Sequence, residues 1–225
     1  MGNPQVTRQK ILQVAAAEIH GKGFKATSLA NILTAANISK GALYHHFTNK
    51  QELGIAVMEE IYMPMFSEPW EKAVKHDDPI GAMSHFVRNM PNLVSQEEME
   101  KGCPMTNICS ELATAEPEIR DLANTMFQRL TSLIAKAMQK SEVHDKVNPE
   151  SAALFIFTST NGISTLIKSS QSREMFIAVT QELSNYIESL RSKQSAIKVK
   201  NSDALVFEPV DCKEHLQKLK NWRET

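Results

Sequence analysis

Thr27 to Lys50, TSLANILTAANISKGALYHHFTNK, reads as two short helices around a tight turn and then the start of a third. Thr27 is placed to cap the first of these helices, whose Leu29, Ile32 and Leu33 face inward. Asn37 falls where a sharp turn needs a residue that tolerates a left-handed backbone. Ser39 can cap the next helix, and Leu43 with Phe47 closes a small core. Upstream, Ile11, Leu12, Ala15, Ala16 and Ile19 recur at helical spacing over residues 7–22, and Gly21 and Gly23 stop that helix before Phe24, a packing anchor.

A helix, a short turn and a second helix suit the major groove of DNA, because the second helix fits its width while the first crosses the backbone. On that docking Ser39, Lys40, Gly41 and Ala42 approach base edges. Gly41 lets the backbone come close, and Ala42 offers a methyl to thymine. Thr27, at a helix N-terminus, can present its hydroxyl and neighbouring amides to a phosphate. Lys50 places a cation in the first turn of the following helix, against the dipole preference for acids, which makes sense if its ammonium meets a phosphate.

Charge is distributed accordingly. The 225 residues carry a formal net charge of −1, yet Met1 to Lys50 holds Arg8, Lys10, Lys22, Lys25, Lys40 and Lys50 against Glu18 alone, six minus one, or +5. A basic module on a near-neutral remainder is what counterion release asks for; a solvated face of unpaired cations would give the same count. Cys103, Cys109 and Cys212 are few and irregularly spaced, which indicates neither a disulfide framework nor a zinc site and fits a reducing compartment. No run resembles a signal peptide or approaches the roughly 18 apolar residues of a membrane span. The expectation is a cytoplasmic protein without a membrane partner.

Thr48 with Gln51 matches a capping box for the next helix, in which Leu53, Val57 and Ile61 form the buried stripe. Pro64 and Pro69 are expected to kink or end it. The expected division is a DNA-binding domain over 1–52, a helical ligand-binding and dimerisation domain over 53–192, and an extension over 193–225. Asp78-Pro79 and Asn148-Pro149 pair a capping side chain with proline at the first helical position, and Pro117 is a similar start. Helices follow at about 79–94, 103–114, 117–140, 149–170 and 172–192. Only the short apolar run Ala204 to Val210 competes as a strand, so the fold class is all-α: a three-helix, homeodomain-like helix-turn-helix followed by a larger helical domain. The tail reads either as a short helix over 211–222, with Leu216, Leu219 and Trp222 on one side, or as partly disordered.

The last two long helices carry more apolar residues than one core-facing stripe needs. Phe176, Ile177, Val179, Leu183, Tyr186, Ile187 and Leu190 follow the mixed run SAALFIFTSTNGIST over 151–165. A four-helix bundle built by two copies of the chain accounts for this, as does burial wholly inside one domain.

The sequence ISKGALYHHFTNKQEL, preceded by ATSLANILTAAN, closely resembles the helix-turn-helix of TetR-type transcriptional regulators. Their pattern runs through a small helix, Ala-Gly-Val-Ser-Lys-Gly-x-Leu-Tyr-x-Tyr-Phe, and then Lys-x-x-Leu. Ser39, Lys40, Gly41, Leu43, Tyr44, Phe47, Lys50, Glu52 and Leu53 fall in place, and the match covers about residues 7–60. The resemblance implies a homodimer on double-stranded palindromic DNA, usually a repressor, released when a small-molecule effector binds the C-terminal domain and shifts the helix beginning near Thr48. It also implies phosphate contacts from Thr27, Tyr44 and Lys50, and base proximity for Ser39 to Ala42 and His45. Asn37 replaces a glycine and His46 a tyrosine. His45 and His46, about 100° apart on a helix, cannot easily share one metal ion.

The remaining half is less specific. Gly102 to Asn107 matches a Gly-Cys-Pro-x-x-Asn opening found in some family members at the start of a pocket-lining helix. Phe66, Trp70, Phe86, Met90, Cys103, Asn107, Phe127 and Asn161 are the candidate ligand-binding residues, since helical-domain pockets are mostly apolar with a few placed polar groups; each also reads as plain core. Cys103, at a helix N-terminus, reads either as an oxidant sensor or as a small buried apolar thiol. A regulator without a small-molecule trigger, controlled by a protein partner or through Cys103, is the alternative. An enzyme with Cys103 as nucleophile and His85 or His76 as base finds no supporting spacing. No cofactor, metal site or catalytic residue is expected.

Overall fold

The computed structural model describes residues 4–141 and 143–192; the expected strand at 204–210, the helix at 211–222 and Cys212 lie outside them. The described chain is helical, with one isolated bridge between Val143 and Arg191. In order, the helices are α1 (Pro4–Lys22), α2 (Leu29–Ala36), α3 (Lys40–His46), α4 (Lys50–Val57), a π-helical turn (Met58–Tyr62), α5 (Met63–Val74), α6 (Pro79–Leu93), α7 (Gln96–Lys101), α8 (Pro104–Leu112), α9 (Pro117–Lys140), α10 (Pro149–Ser170) and α11 (Arg173–Ser189). An N-terminal helix-turn-helix domain is followed by a larger helical domain. Packing forms two compact units, and it groups residues 53–66 and 104–123 with the N-terminal helices.

The first unit is built on α1, which buries Ile11, Leu12, Ala15, Ala16 and Ile19. Ile32, Leu43, Phe47, Leu53 and Val57 meet it from α2, α3 and α4, and Tyr62 Oη donates to Ala16 O at 2.7 Å. Two caps differ from the sequence expectation by one residue. Ser28, not Thr27, caps α2: its backbone is extended, and it exchanges hydrogen bonds with Asn31 in a capping box. Thr27 cannot do so because its own N–H and hydroxyl both turn back to Gly23 O. Likewise Asn49 caps α4 through Glu52 N, while Thr48 donates to the Glu52 carboxylate.

Neither Pro64 nor Pro69 ends the helix. The chain continues to Val74, with a π turn just upstream of Pro64, where Met63 N–H reaches back to Met58 O. This wider register relieves the crowding that a proline ring imposes on the carbonyl four residues before it, here that of Glu60. Gly54 lets α4 lie against Phe24: a Cβ at that position would stand 2.4 Å from Phe24 Cε2. Gly54→Ala is therefore expected to destabilise the first unit by roughly 1–3 kcal/mol, read as a lowered midpoint in chemical denaturation.

In the second unit, α6 packs on α11 with the Ser84 and Ser184 hydroxyls 2.9 Å apart, and Arg88 Nε donates to Ser184 Oγ at 3.1 Å. Arg191 donates to both Asp78 oxygens at 2.8 and 2.6 Å and to Glu188 at 2.6 Å. Burial alone would raise the Asp78 carboxyl, but hydrogen bonds from Arg191 and the Gly81 amide hold it below its ordinary value. Arg173 caps the end of α6, donating to Pro91 O and Val94 O. Asp78 and Asn148 cap α6 and α10 as their Asp-Pro and Asn-Pro pairs predict. Helix α7, absent from the sequence expectation, is capped reciprocally by Ser95 and Glu98. Leu154, Phe155 and Leu166 of α10, with Met175 and Ile177 of α11, remain exposed.

Candidate nucleic-acid interface

The turn between α2 and α3 depends on Asn37, whose φ of 48° and ψ of 53° place it in the left-handed region while its N–H closes on α2 carbonyls. Ser39 follows in an extended conformation and its Oγ accepts from Ala42 N at 3.2 Å, starting α3. Leu43 and Phe47 point into the core, which fixes the opposite face of α3 outward. On that face Lys40 Nζ lies 5.7 Å from the Tyr44 ring centre, and Tyr44 is 45% exposed. Gly41 and His45 are exposed beside them, and Ala42 is partly covered. A Cβ at Gly41 would find only Ser39 Oγ, at 4.0 Å.

The cations of the basic module divide. Lys22 pairs with Glu18 at 2.5 Å. Arg8 lies over the Phe47 ring and donates to both oxygens of Glu60 at 2.6 Å, so an acid from outside the module neutralises it. His46 is held below its ordinary pKa by burial and by the charges of His45 and Arg8. Lys50 Nζ donates to Lys25 O at 3.2 Å and sits 4.5 Å from the Phe24 ring centre. Burial lowers its pKa, while the Glu111 charge acts the other way. Thr27 is fully buried, whereas Ser28, one residue on, is exposed at the N-terminus of α2.

Glu111 belongs to this constellation although sequence reasoning missed it. Its carboxylate accepts the backbone N–H of Phe24 at 2.8 Å and of Lys25 at 2.6 Å. The partners are 86 or more residues apart, and no local pattern joins them.

The candidate ligand residues distribute unevenly. Trp70 and Phe86 meet edge to face with centres 5.2 Å apart, and Phe127 lies 5.1 Å from Phe157. Asn161 Nδ2 donates to Phe157 O at 2.8 Å, within its own helix. Met90 and Cys103 are half-buried in the same unit, while Phe66 and Asn107 fall in the first unit. Neither Cys103 nor Cys109 is in a disulfide. Among the described residues there is no cluster of three or more His, Cys, Asp or Glu side chains that could hold a metal ion, and no helix long and apolar enough to cross a membrane.

A sequence profile of the bacterial regulatory proteins of the tetR family matches residues 11–57. A second, for the C-terminal domain of LmrA/YxaF-like transcriptional regulators, matches residues 79–182. The chain belongs to the TetR family of helix-turn-helix transcriptional regulators. It is 26% identical over 139 residues to the HTH-type transcriptional regulator YxaF of Bacillus subtilis, covering 60% of this chain and 71% of that one. It is 25% identical over 169 residues to the regulator TtgR of Pseudomonas putida, covering 71% and 79%. Among solved structures, a TetR-family regulator from Cytophaga hutchinsonii superposes with a TM-score of 0.73 at 22% identity, covering 86% of this chain and 98% of that one. The regulatory protein TetR from Rhodobacter sphaeroides gives 0.71 at 19%, covering 80% and 98%.

Proposed function

We propose that this chain is a cytoplasmic repressor that binds a palindromic operator as a homodimer and is released by a small molecule in its C-terminal domain. Helix α3 enters the major groove with Ser39, Lys40, Gly41 and Ala42 near base edges and His45 beside them. Tyr44 and Lys50 meet phosphates, and the N-terminus of α2 meets another. There Ser28 supplies the exposed hydroxyl, while the inward hydroxyl of Thr27 holds the turn in place.

The observation that carries this reading is Gly41. A glycine in a helix costs roughly 1 kcal/mol relative to alanine, and here neither φ nor a neighbouring atom among the described residues calls for one. Close approach of an outside surface, a base edge, supplies the reason.

Dimerisation is supported by the same reasoning. Gly162 lies mid-helix on the exposed side of α10, with Leu154 and Leu166 each a whole number of four-residue steps away and, among the described residues, nothing within 4 Å of where its Cβ would be. Two copies of this face, crossing closely at Gly162, complete a four-helix bundle with α11. The effector reading rests on the aromatic pairs Trp70–Phe86 and Phe127–Phe157 of the second unit, which also holds half-buried Met90, Cys103 and Asn161, whereas Phe66 and Asn107 belong to the first unit. A coupling of about 1–3 kcal/mol between effector and operator, passed through the helix that begins at Lys50, is enough for a useful switch.

Selecting bound fragments from the host genome with the purified chain tests the reading. Enriched fragments are expected to share a palindrome whose half-site centres lie about 34 Å, one DNA turn, apart. Recovery of fragments with no common palindrome would refute it.

A further inference from the structure

The turn that leads into α2 is held from outside the helix-turn-helix. Glu111, near the end of α8, takes the N–H of Phe24 on one carboxylate oxygen and that of Lys25 on the other, at 2.8 and 2.6 Å. The carbonyl of the same Lys25 accepts from Lys50 Nζ at 3.2 Å. Just before Phe24, Gly23 has φ +86°, and a Cβ there would stand 3.1 Å from Glu111 Oε2, so the glycine also admits the carboxylate. Thr27 closes the turn by donating to Gly23 O at 2.8 Å.

Electrostatics alone argues against an acid at this position. It lowers the positive potential of a module that must attract a polyanion, even though its charge favours the protonated form of Lys50. The Lys25 amide is exposed and could be satisfied by water, so only the part-buried amide of Phe24 needs a protein acceptor, and a neutral one would serve.

We propose that Glu111 is a positioning residue for operator binding. By clamping the Phe24 and Lys25 amides it fixes the path into the N-terminus of α2 and the carbonyl on which the Lys50 ammonium rests. Two phosphate-facing groups are thereby set before DNA arrives. The inference rests on the DNA docking proposed above and adds a residue from α8 that does not itself touch DNA.

A charge role and a positioning role predict opposite signs. If Glu111 acts only as a charge, Glu111→Gln and Glu111→Ala bind DNA more tightly. If it positions the turn, both weaken specific binding by about tenfold while affinity for a scrambled duplex stays level or rises.

The test uses the full chain and a duplex recovered from genomic DNA by the wild-type protein, with a scrambled duplex of equal length beside it, titrated by fluorescence anisotropy at fixed salt. Amide exchange at Phe24 and Lys25 is followed in parallel, and circular dichroism at the assay temperature confirms that each variant is folded. Specific binding should fall for Gln and Ala, with faster exchange at both amides. Glu111→Asp, one methylene shorter, should retain part of each effect.

Unchanged or tighter binding of the recovered duplex by folded Glu111→Gln overturns the positioning role. So does faster amide exchange without loss of specificity. A wild-type chain that does not prefer the recovered duplex over the scrambled one overturns the docking itself, and the two failures are thereby distinguished.

Discussion

Lys50→Ala is expected to weaken operator binding about thirtyfold and to flatten its dependence on salt. A charge-assisted hydrogen bond to phosphate is worth roughly 1.5–3 kcal/mol. In the free protein, however, the ammonium already has Lys25 O and the face of Phe24 as partners. Giving these up costs part of that gain, since a partly exposed cation–π contact contributes about 0.5–1 kcal/mol and a neutral carbonyl a similar amount. A net of about 1 kcal/mol per protomer remains, or about 2 kcal/mol for a dimer. Each phosphate contact also releases condensed counterions, so losing two should reduce the slope of log K against log salt by about 1.8. Tyr44→Ala should weaken binding too but leave that slope nearly unchanged, because a phenol releases no counterion. Equal slopes for wild type and Lys50→Ala in a salt titration would remove Lys50 from the interface.

Features set by neighbours three or four residues apart were legible in the sequence. Asn37 in the left-handed region, Ser39 as a cap, and the starts at Asp78-Pro79 and Asn148-Pro149 all depend on bonds that close within one turn. Where two adjacent side chains could each serve as a cap, the wrong one was expected. Thr27 against Ser28 and Thr48 against Asn49 are settled by backbone angles that follow from how the preceding turn packs. Helix α7 escaped notice for a different reason. Its sequence, QEEMEK, buries only Met99 and so has no apolar stripe, leaving the Ser95–Glu98 capping box as its one signal.

Least legible was what depends on distant partners. Glu111 lies on a helix whose apolar residues Met105, Ile108 and Leu112 announce only that it is amphipathic. Nothing local says that it packs in the first unit or that its carboxylate reaches Phe24 and Lys25. For the same reason the sequence marks candidate ligand residues by type rather than place, and Phe66 and Asn107 fall in a different unit from the other six. The outward side of α3 could be read because Leu43 and Phe47, pointing inward, define its opposite.

Leu154→Arg combined with Leu166→Arg is expected to convert the proposed dimer to monomers and to reduce operator affinity by a hundredfold or more. Both side chains are exposed within one chain, at 56% and 42%, so their replacement should leave the folding midpoint of the monomer nearly unchanged. In the proposed dimer the same positions are buried, and four arginines without partners would have to be desolvated there. Operator affinity falls because the second half-site contact is intramolecular only while the two readers are joined; separated, each must bind at its own bulk concentration. Gly162→Ala separates this explanation from simple damage to α10. Alanine favours an isolated helix by about 1 kcal/mol and meets nothing among the described residues, so the protomer should gain stability. If α10 helices cross closely at Gly162, the added methyl should nevertheless weaken the dimer. Sedimentation equilibrium reads association and denaturation at low protein concentration reads protomer stability. A Leu154→Arg, Leu166→Arg chain that still sediments as a dimer would place the interface elsewhere.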